Sequence, residues 1–276
     1  IVSREAGSGT RGAFEEICKL TEKNADGNEV SLVDESKAII ADSTNAVSTT
    51  VSTKKNAIGY ISLGSVDDTV NTVRVGGVAA SEETVLNGTY AIQRPFVVMT
   101  KKGVTMTARA ADFMAYLHSG AAEAHAKEAG CIWLADPAKR ANAGADPIAV
   151  TDFSKQATLP AGDKVVIRGS TSMEKVINAA AKGYAELYGA KAGDLFDIEL
   201  EGSSVGRKAV ESDTTGNVIG LSSASVVQDN VNSFNLCLDA VAVIVNKDNT
   251  EITDLTLEQL YAIFSGSVTK FSELSK

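Results

Sequence analysis

Ile1-Val2-Ser3-Arg4-Glu5-Ala6-Gly7-Ser8-Gly9-Thr10-Arg11-Gly12-Ala13-Phe14-Glu15-Glu16-Ile17 opens the chain with a strand end, a Gly/Ser/Thr turn and a helix pattern in which Ala13, Ile17 and Leu20 share one face. The same arrangement recurs twice. Lys164 to Arg168 reads as a strand, followed by Gly169-Ser170-Thr171-Ser172 and a helix from about Met173. Phe196 to Leu200 reads as another, followed by Gly202-Ser203-Ser204-Val205-Gly206 and a helix from about Arg207. The first amides of a helix lack intrahelical acceptors, and the helix dipole places partial positive charge on them. Glycine lets a ligand approach that backbone, and Ser and Thr add hydroxyl donors. One such junction is ordinarily just a cap. Three, with Arg4 upstream of one, point to a small tetrahedral oxyanion held by fixed donors without a metal.

Around these junctions the chain alternates short apolar runs with helical stretches, the rhythm of an α/β protein with largely parallel strands. Strands are expected at Ile58 to Leu63, Phe96 to Met99, Val165 to Ile167, Phe196 to Leu200 and Val241 to Val245. Met173, Val176, Ile177 and Ala180 lie on one helix face, and Leu257, Leu260, Tyr261 and Phe264 on another, with Thr256 and Gln259 at capping-box spacing. A helix pattern from about Ala108 to Gly130 precedes a stretch from Ala135 to Asp163 that lacks periodicity and holds Pro137, Pro147 and Pro160, which reads as a seam.

Composition narrows the function. The 276 residues are 44% hydrophobic and 22% charged, enough to build one bilobed domain or two small ones. No stretch reaches the roughly 18 apolar residues of a membrane helix, so neither a span nor a secretory signal is expected within the chain. A net charge of -9 repels nucleic acid at long range, yet short hydrogen bonds in a dehydrated cleft still hold a small anion. Cys18, Cys131 and Cys237 are far apart and odd in number, which fits neither a disulfide scaffold nor a clustered metal site; at least one thiol is unpaired within the chain and reads as a small buried apolar residue. His118 and His125 fall seven apart on one expected helix and read as solvent-facing or capping residues. Gly202-Ser203-Ser204-Val205-Gly206 has Gly-x-Ser-x-Gly spacing, but there is no phosphate-binding loop of nucleotide enzymes, and Glu15-Glu16 and Glu82-Glu83 read as solvated helix faces, so catalysis rests on that one short pattern alone.

The stretch from Ser3 to Glu16 closely resembles the anion-binding signature of the phosphate-binding proteins that serve phosphate ABC transporters. Ser43-Thr44-Asn45-Ala46-Val47, Ala57 to Gly64, Tyr90-Ala91-Ile92-Gln93-Arg94-Pro95-Phe96, Gly169-Ser170-Thr171-Ser172, and Asp239 to Asn246 leading into Leu255 to Leu260 resemble further pieces of that family. Their order differs: in the family the Gly-Ser-Thr-Ser segment comes first and the Arg4-bearing segment directly follows the Leu257 helix. The resemblance therefore implies a circularly permuted periplasmic-binding-protein type II fold, with two α/β lobes, ligand in the inter-lobe cleft, and Lys276 near Ile1. A fragment spanning two copies of a tandem repeat gives the same order. The implied lobes are residues 89–246, and 1–88 with 247–276.

Carried over motif by motif, the phosphate ligands fall on Arg4, Ser8, Gly9 and Thr10, on Thr171 and Ser172, and on Ser203. Where some family members place an Asp after the strand Val218 to Ser222, this chain has Ser223; Ser222 and Ser223 are weaker candidates, and rejection of sulfate-like anions is in question. The resemblance implies capture of inorganic phosphate by hinge closure and delivery to the membrane subunits of an ABC transporter. A monomer outside the cytoplasmic membrane is implied, without cofactor, its leader or anchor outside this chain. The alternatives are an extracellular sensor or adhesive module of the same fold and, more remotely, a phosphoester-handling enzyme.

Overall fold

A computed structural model describes residues 1–26, 29–141, 148–226 and 228–274. The chain divides into two compact units, Ile1–Gln93 with Ala240–Lys276, and Arg94–Asp239.

The first unit begins with β1 (Val2–Arg4) and α1 (Gly9–Ile17), followed by the hairpin β2 (Thr21–Lys23) and β3 (Glu29–Ser31). Next come β4 (Ile39–Ala41), α2 (Thr44–Thr53), β5 (Ile58–Ser62), β6 (Val70–Val75) and α3 (Glu82–Leu86). β1 is buried throughout and pairs in parallel with β4. Phe14 of α1 stacks on Tyr60 of β5, ring centres 4.0 Å apart, so the amphipathic face of α1 fixes where its N-terminus lies.

The second unit opens with β7 (Gln93–Lys101), α4 (Ala108–His118), α5 (Glu123–Glu128), β8 (Ile132–Trp133) and α6 (Pro137–Arg140). It continues through β9 (Val165–Gly169), α7 (Glu174–Leu187), α8 (Ala192–Leu195), β10 (Phe196–Leu200), α9 (Ser203–Ser212) and β11 (Val218–Ser222). The chain then returns to the first unit along β12 (Val231–Asn246), ending in β13 (Asp254–Leu255) and α10 (Leu257–Phe264). The capping box forms: Thr256 Oγ1 accepts from the Gln259 amide and Gln259 Oε1 accepts from the Thr256 amide. Phe264 then meets the Phe14 ring edge-on at 4.8 Å.

Strand direction is mixed rather than largely parallel. β9 runs parallel to β10 and to β11, which are linked through α7 and α9, while β7 is antiparallel to β11 and β12 is antiparallel to β5, β6 and β8. Helical crossovers are what permit parallel neighbours, and most other strands lack them.

The expected helix from Ala108 to Gly130 breaks at Ser119. The Ser119 hydroxyl donates to the Tyr116 carbonyl and accepts from the Ala121 amide, diverting the backbone from its helical ladder. The two histidines consequently lie on separate helices. His118 stacks on Phe234 at 3.9 Å, and His125 Nε2 is hydrogen-bonded to the Tyr116 hydroxyl at 2.6 Å.

The unit boundaries fall inside the 89–246 span assigned from sequence. Tyr90 donates to the Val241 carbonyl, and Asn246 Nδ2 donates to the Val51 and Ser52 carbonyls, tying both flanks to the first unit. Of the seam residues, Pro160 and Asp163 offer carbonyls to Arg109, while Pro147 lies outside the described residues, as does Lys276. Ile1 lines a cavity of about 380 Å³ together with Val268, Thr269, Lys270 and Phe271.

Candidate functional site

In the first unit, β1 delivers Arg4 to the mouth of α1. Ser8 is the N-cap, and its hydroxyl oxygen accepts from the Arg11 amide at 3.3 Å. Ser8, Gly9 and Thr10 are all buried, and Arg4 is 2% exposed. The Arg4 guanidinium donates through Nε and Nη2 to the two carboxylate oxygens of Glu5, both at 2.8 Å, and through Nη1 to Thr44 Oγ1 at 3.2 Å. Thr44 is itself the first residue of α2, capped by Ser43. Arg4, Ser8, Gly9 and Thr10 therefore meet at one corner, with Glu5 and Thr44 added to it. Neither addition was expected as a functional residue, although Ser43-Thr44 ahead of a helix is the same Ser/Thr-then-helix signal in weaker form.

A second arginine braces this corner from behind. Arg11 donates to the Arg4 carbonyl at 2.9 Å, to Glu15 Oε1 at 2.6 Å and to Ser31 Oγ at 3.0 Å, and it pairs with Glu35 at 2.8 Å. Burial works against its charge, but hydrogen bonds to Glu15 and Glu35 outweigh that and raise its pKa above the ordinary arginine value.

In the second unit the parallel strands β10, β9 and β11 end side by side, and the turns after them converge. Ser170 caps the turn Thr171–Met173 that leads into α7, accepting from the Ser172 amide at 3.3 Å. Its hydroxyl donates to Ser223 Oγ at 2.8 Å, and Ser203 Oγ lies 3.3 Å from the same atom while accepting from the Ser223 amide at 3.0 Å. Thr171, Ser172, Ser203 and Ser223 are thus brought together through Ser170, all five buried. Ser222 Oγ donates to the Ala224 carbonyl instead, shaping the turn.

Two features hold this cluster. Gly169 has φ +145°, and a Cβ there would stand 2.2 Å from the Leu221 carbonyl oxygen, so only glycine lets β9 and β11 approach so closely. Arg94 donates to the Ser223 carbonyl at 3.3 Å and pairs with Asp239, both side chains at most 1% exposed. Arg94 and Asp239 are the first and last residues of this unit. Among the described residues no group of three or more His, Cys, Asp or Glu could hold a metal ion, and no helix is long and apolar enough to cross a membrane.

Each corner presents the chemistry of oxyanion binding: helix-opening amides, hydroxyls and, in the first unit, a guanidinium. Over its full length the chain is 34% identical to Phosphate-binding protein PstS 2 of Streptococcus agalactiae, covering 87% of that relative. It is 32% identical to Phosphate-binding protein PstS 2 of Streptococcus pneumoniae, across 99% of this chain and 87% of the relative. The chain belongs to the phosphate-binding protein family. Residues 154–275 match the model described as a PBP superfamily domain. The crystal structure of a phosphate ABC transporter, phosphate-binding protein from Streptococcus pneumoniae superposes with a TM-score of 0.70 at 30% identity, covering 99% of this chain and 98% of that one. The fold is therefore the α/β fold of that family.

Proposed function

We propose that this chain is the extracytoplasmic solute-binding protein of a phosphate ABC transporter. It captures inorganic phosphate as a monomer without a cofactor, performs no chemistry on it, and releases it to the membrane subunits. The observation that carries this reading is the corner at the start of α1, where a buried guanidinium, Arg4, stands beside the Ser8 cap and the helix-opening residues Gly9 and Thr10. The hydroxyls of Thr171, Ser172, Ser203 and Ser223 are the further proposed ligands. Capture by hinge closure is part of the proposal: a ligand that gains donors on closing shifts the population toward the closed form.

Calorimetry tests the reading. Phosphate is expected to bind, and Arg4→Ala to weaken binding by about 100-fold or more, on the order of 3 kcal/mol, because Glu5 is left beside the anion with its charge unpaired. No heat with phosphate overturns the proposal and favours a sensor or adhesive module. Closure is read as a smaller radius of gyration on adding phosphate. The permuted segment order is part of the same proposal, supported by the motif order and by Ile1 sharing a cavity with Val268 to Phe271. A chain rejoined end to end and reopened between 148 and 163 is expected to fold and bind.

A further inference from the structure

We propose that Cys131 and Cys237 are joined by a disulfide bond in the mature protein. β8 lies antiparallel to β12 with Trp133 opposite Cys237 and Ile132 opposite Leu238. One more step of that register puts Cys131 opposite Asp239, so Cys131 is the diagonal neighbour of Cys237 on the same face of the ladder. Both side chains are buried in one apolar cluster, where the structure holds them as free thiols. Diagonal partners sit near the outer limit of disulfide reach. Cys131 precedes the first residue of β8, outside the paired ladder, and closing the bond requires backbone movement there. Cys18 is buried in the other unit, beyond the end of α1, so the pairing is unambiguous and one thiol stays over.

The step is a two-electron oxidation. Two S–H bonds break, one S–S bond forms, and two protons and two electrons pass to an external disulfide oxidant, a thiol–disulfide oxidoreductase or a small-molecule disulfide, which is reduced to two thiols. Burial pushes the Cys237 thiol well above its ordinary pKa, the Cys131 contact and Asp239 push it the same way, and the Arg140 cation only partly opposes them. A thiol so held is a poor nucleophile in the folded protein. The bond therefore forms during folding, before the pair is sealed, and the same burial afterwards shields it from reductant. It fastens β8 to β12 two residues from Asp239, the carboxylate that holds Arg94.

The proposal rests on the extracytoplasmic reading, because an oxidising compartment is needed. The test is wild-type protein refolded in a mixture of reduced and oxidised glutathione, then denatured and alkylated. One alkylated cysteine, Cys18, and a non-reduced peptide linking Cys131 to Cys237 are expected. Three alkylated cysteines, or a link to Cys18, overturn it. Cys131→Ser, Cys237→Ser and the double variant are expected to lower Tm equally, by about 5–10 °C, under oxidising conditions only. Additive losses that persist in reductant argue against the bond. Phosphate calorimetry on the same samples is independent of thiol state, so a failure of the functional reading is seen separately.

Discussion

The two corners reach anion chemistry by different means. In the first unit the corner is built around charge: Arg4 is fixed by both carboxylate oxygens of Glu5 and by Thr44, and Arg11, itself tied to Glu15, anchors the Arg4 carbonyl. In the second unit it is built from hydroxyls: Ser170, Ser203 and Ser223 bond to one another, and the nearby ion pair of Arg94 and Asp239 touches the cluster through a backbone carbonyl. A charged corner supplies attraction but is pre-neutralised by its own carboxylate. A hydroxyl corner supplies direction, since each oxygen both donates and accepts, but no charge with which to refuse a wrong anion. On the proposed reading, charge is supplied by the first corner and hydrogen-bond direction by the second.

The hydroxyl corner depends on close backbone approach, and that is where it breaks most easily. Gly169→Ala places a methyl group against the Leu221 carbonyl, in a backbone conformation that disfavours side chains. A loss of about 3–5 kcal/mol in stability is expected, read by chemical denaturation. Should the variant unfold like wild type, the packing of β9 on β11 is looser than the structure shows.

Acid also separates the units, because both histidines lie in the second. Burial, aided by the Arg140 cation, lowers the His118 pKa to about 4 from its ordinary 6.5. Below pH 6.5 the unfolded chain binds a proton that the folded one refuses. The stability tied to neutral His118 is thus complete above pH 6.5 and drains away as the pH falls towards 4. His118→Phe, which keeps the stacking on Phe234, is expected to flatten this loss by roughly 2 kcal/mol between pH 7 and 5, seen as a smaller drop in Tm. Equal drops in both proteins would remove His118 as the cause.

What the sequence made legible follows the same division. Corners announced by local chemistry could be read directly: Ser8 as cap, Gly169-Ser170 as a turn, and the Thr256 capping box depend on neighbours a few residues away. Glu5 escaped notice as the Arg4 partner because an adjacent acid ordinarily points to solvent. Thr44 and Arg94 escaped because their partners lie 40 and 145 residues away, and only the fold brings such pairs together. The break at Ser119 was hidden for a local reason, since a serine within a helical pattern carries no mark of whether its hydroxyl will turn back on the backbone.

The smallest expected effect bears most directly on the contrast between corners. Ser223→Asp puts a carboxylate where Ser170 already donates and Ser203 lies within hydrogen-bonding distance, so the new charge has hydroxyl partners waiting. Near neutral pH hydrogen phosphate still carries a proton to give to that carboxylate, while sulfate has none and meets only repulsion. Phosphate affinity is therefore expected to hold while sulfate affinity falls by about tenfold, roughly 1.4 kcal/mol, in competition calorimetry at pH 7. A phosphate-to-sulfate ratio unchanged from wild type would mean that the hydroxyl corner does not touch the ion, and that selectivity resides with Arg4 and Glu5.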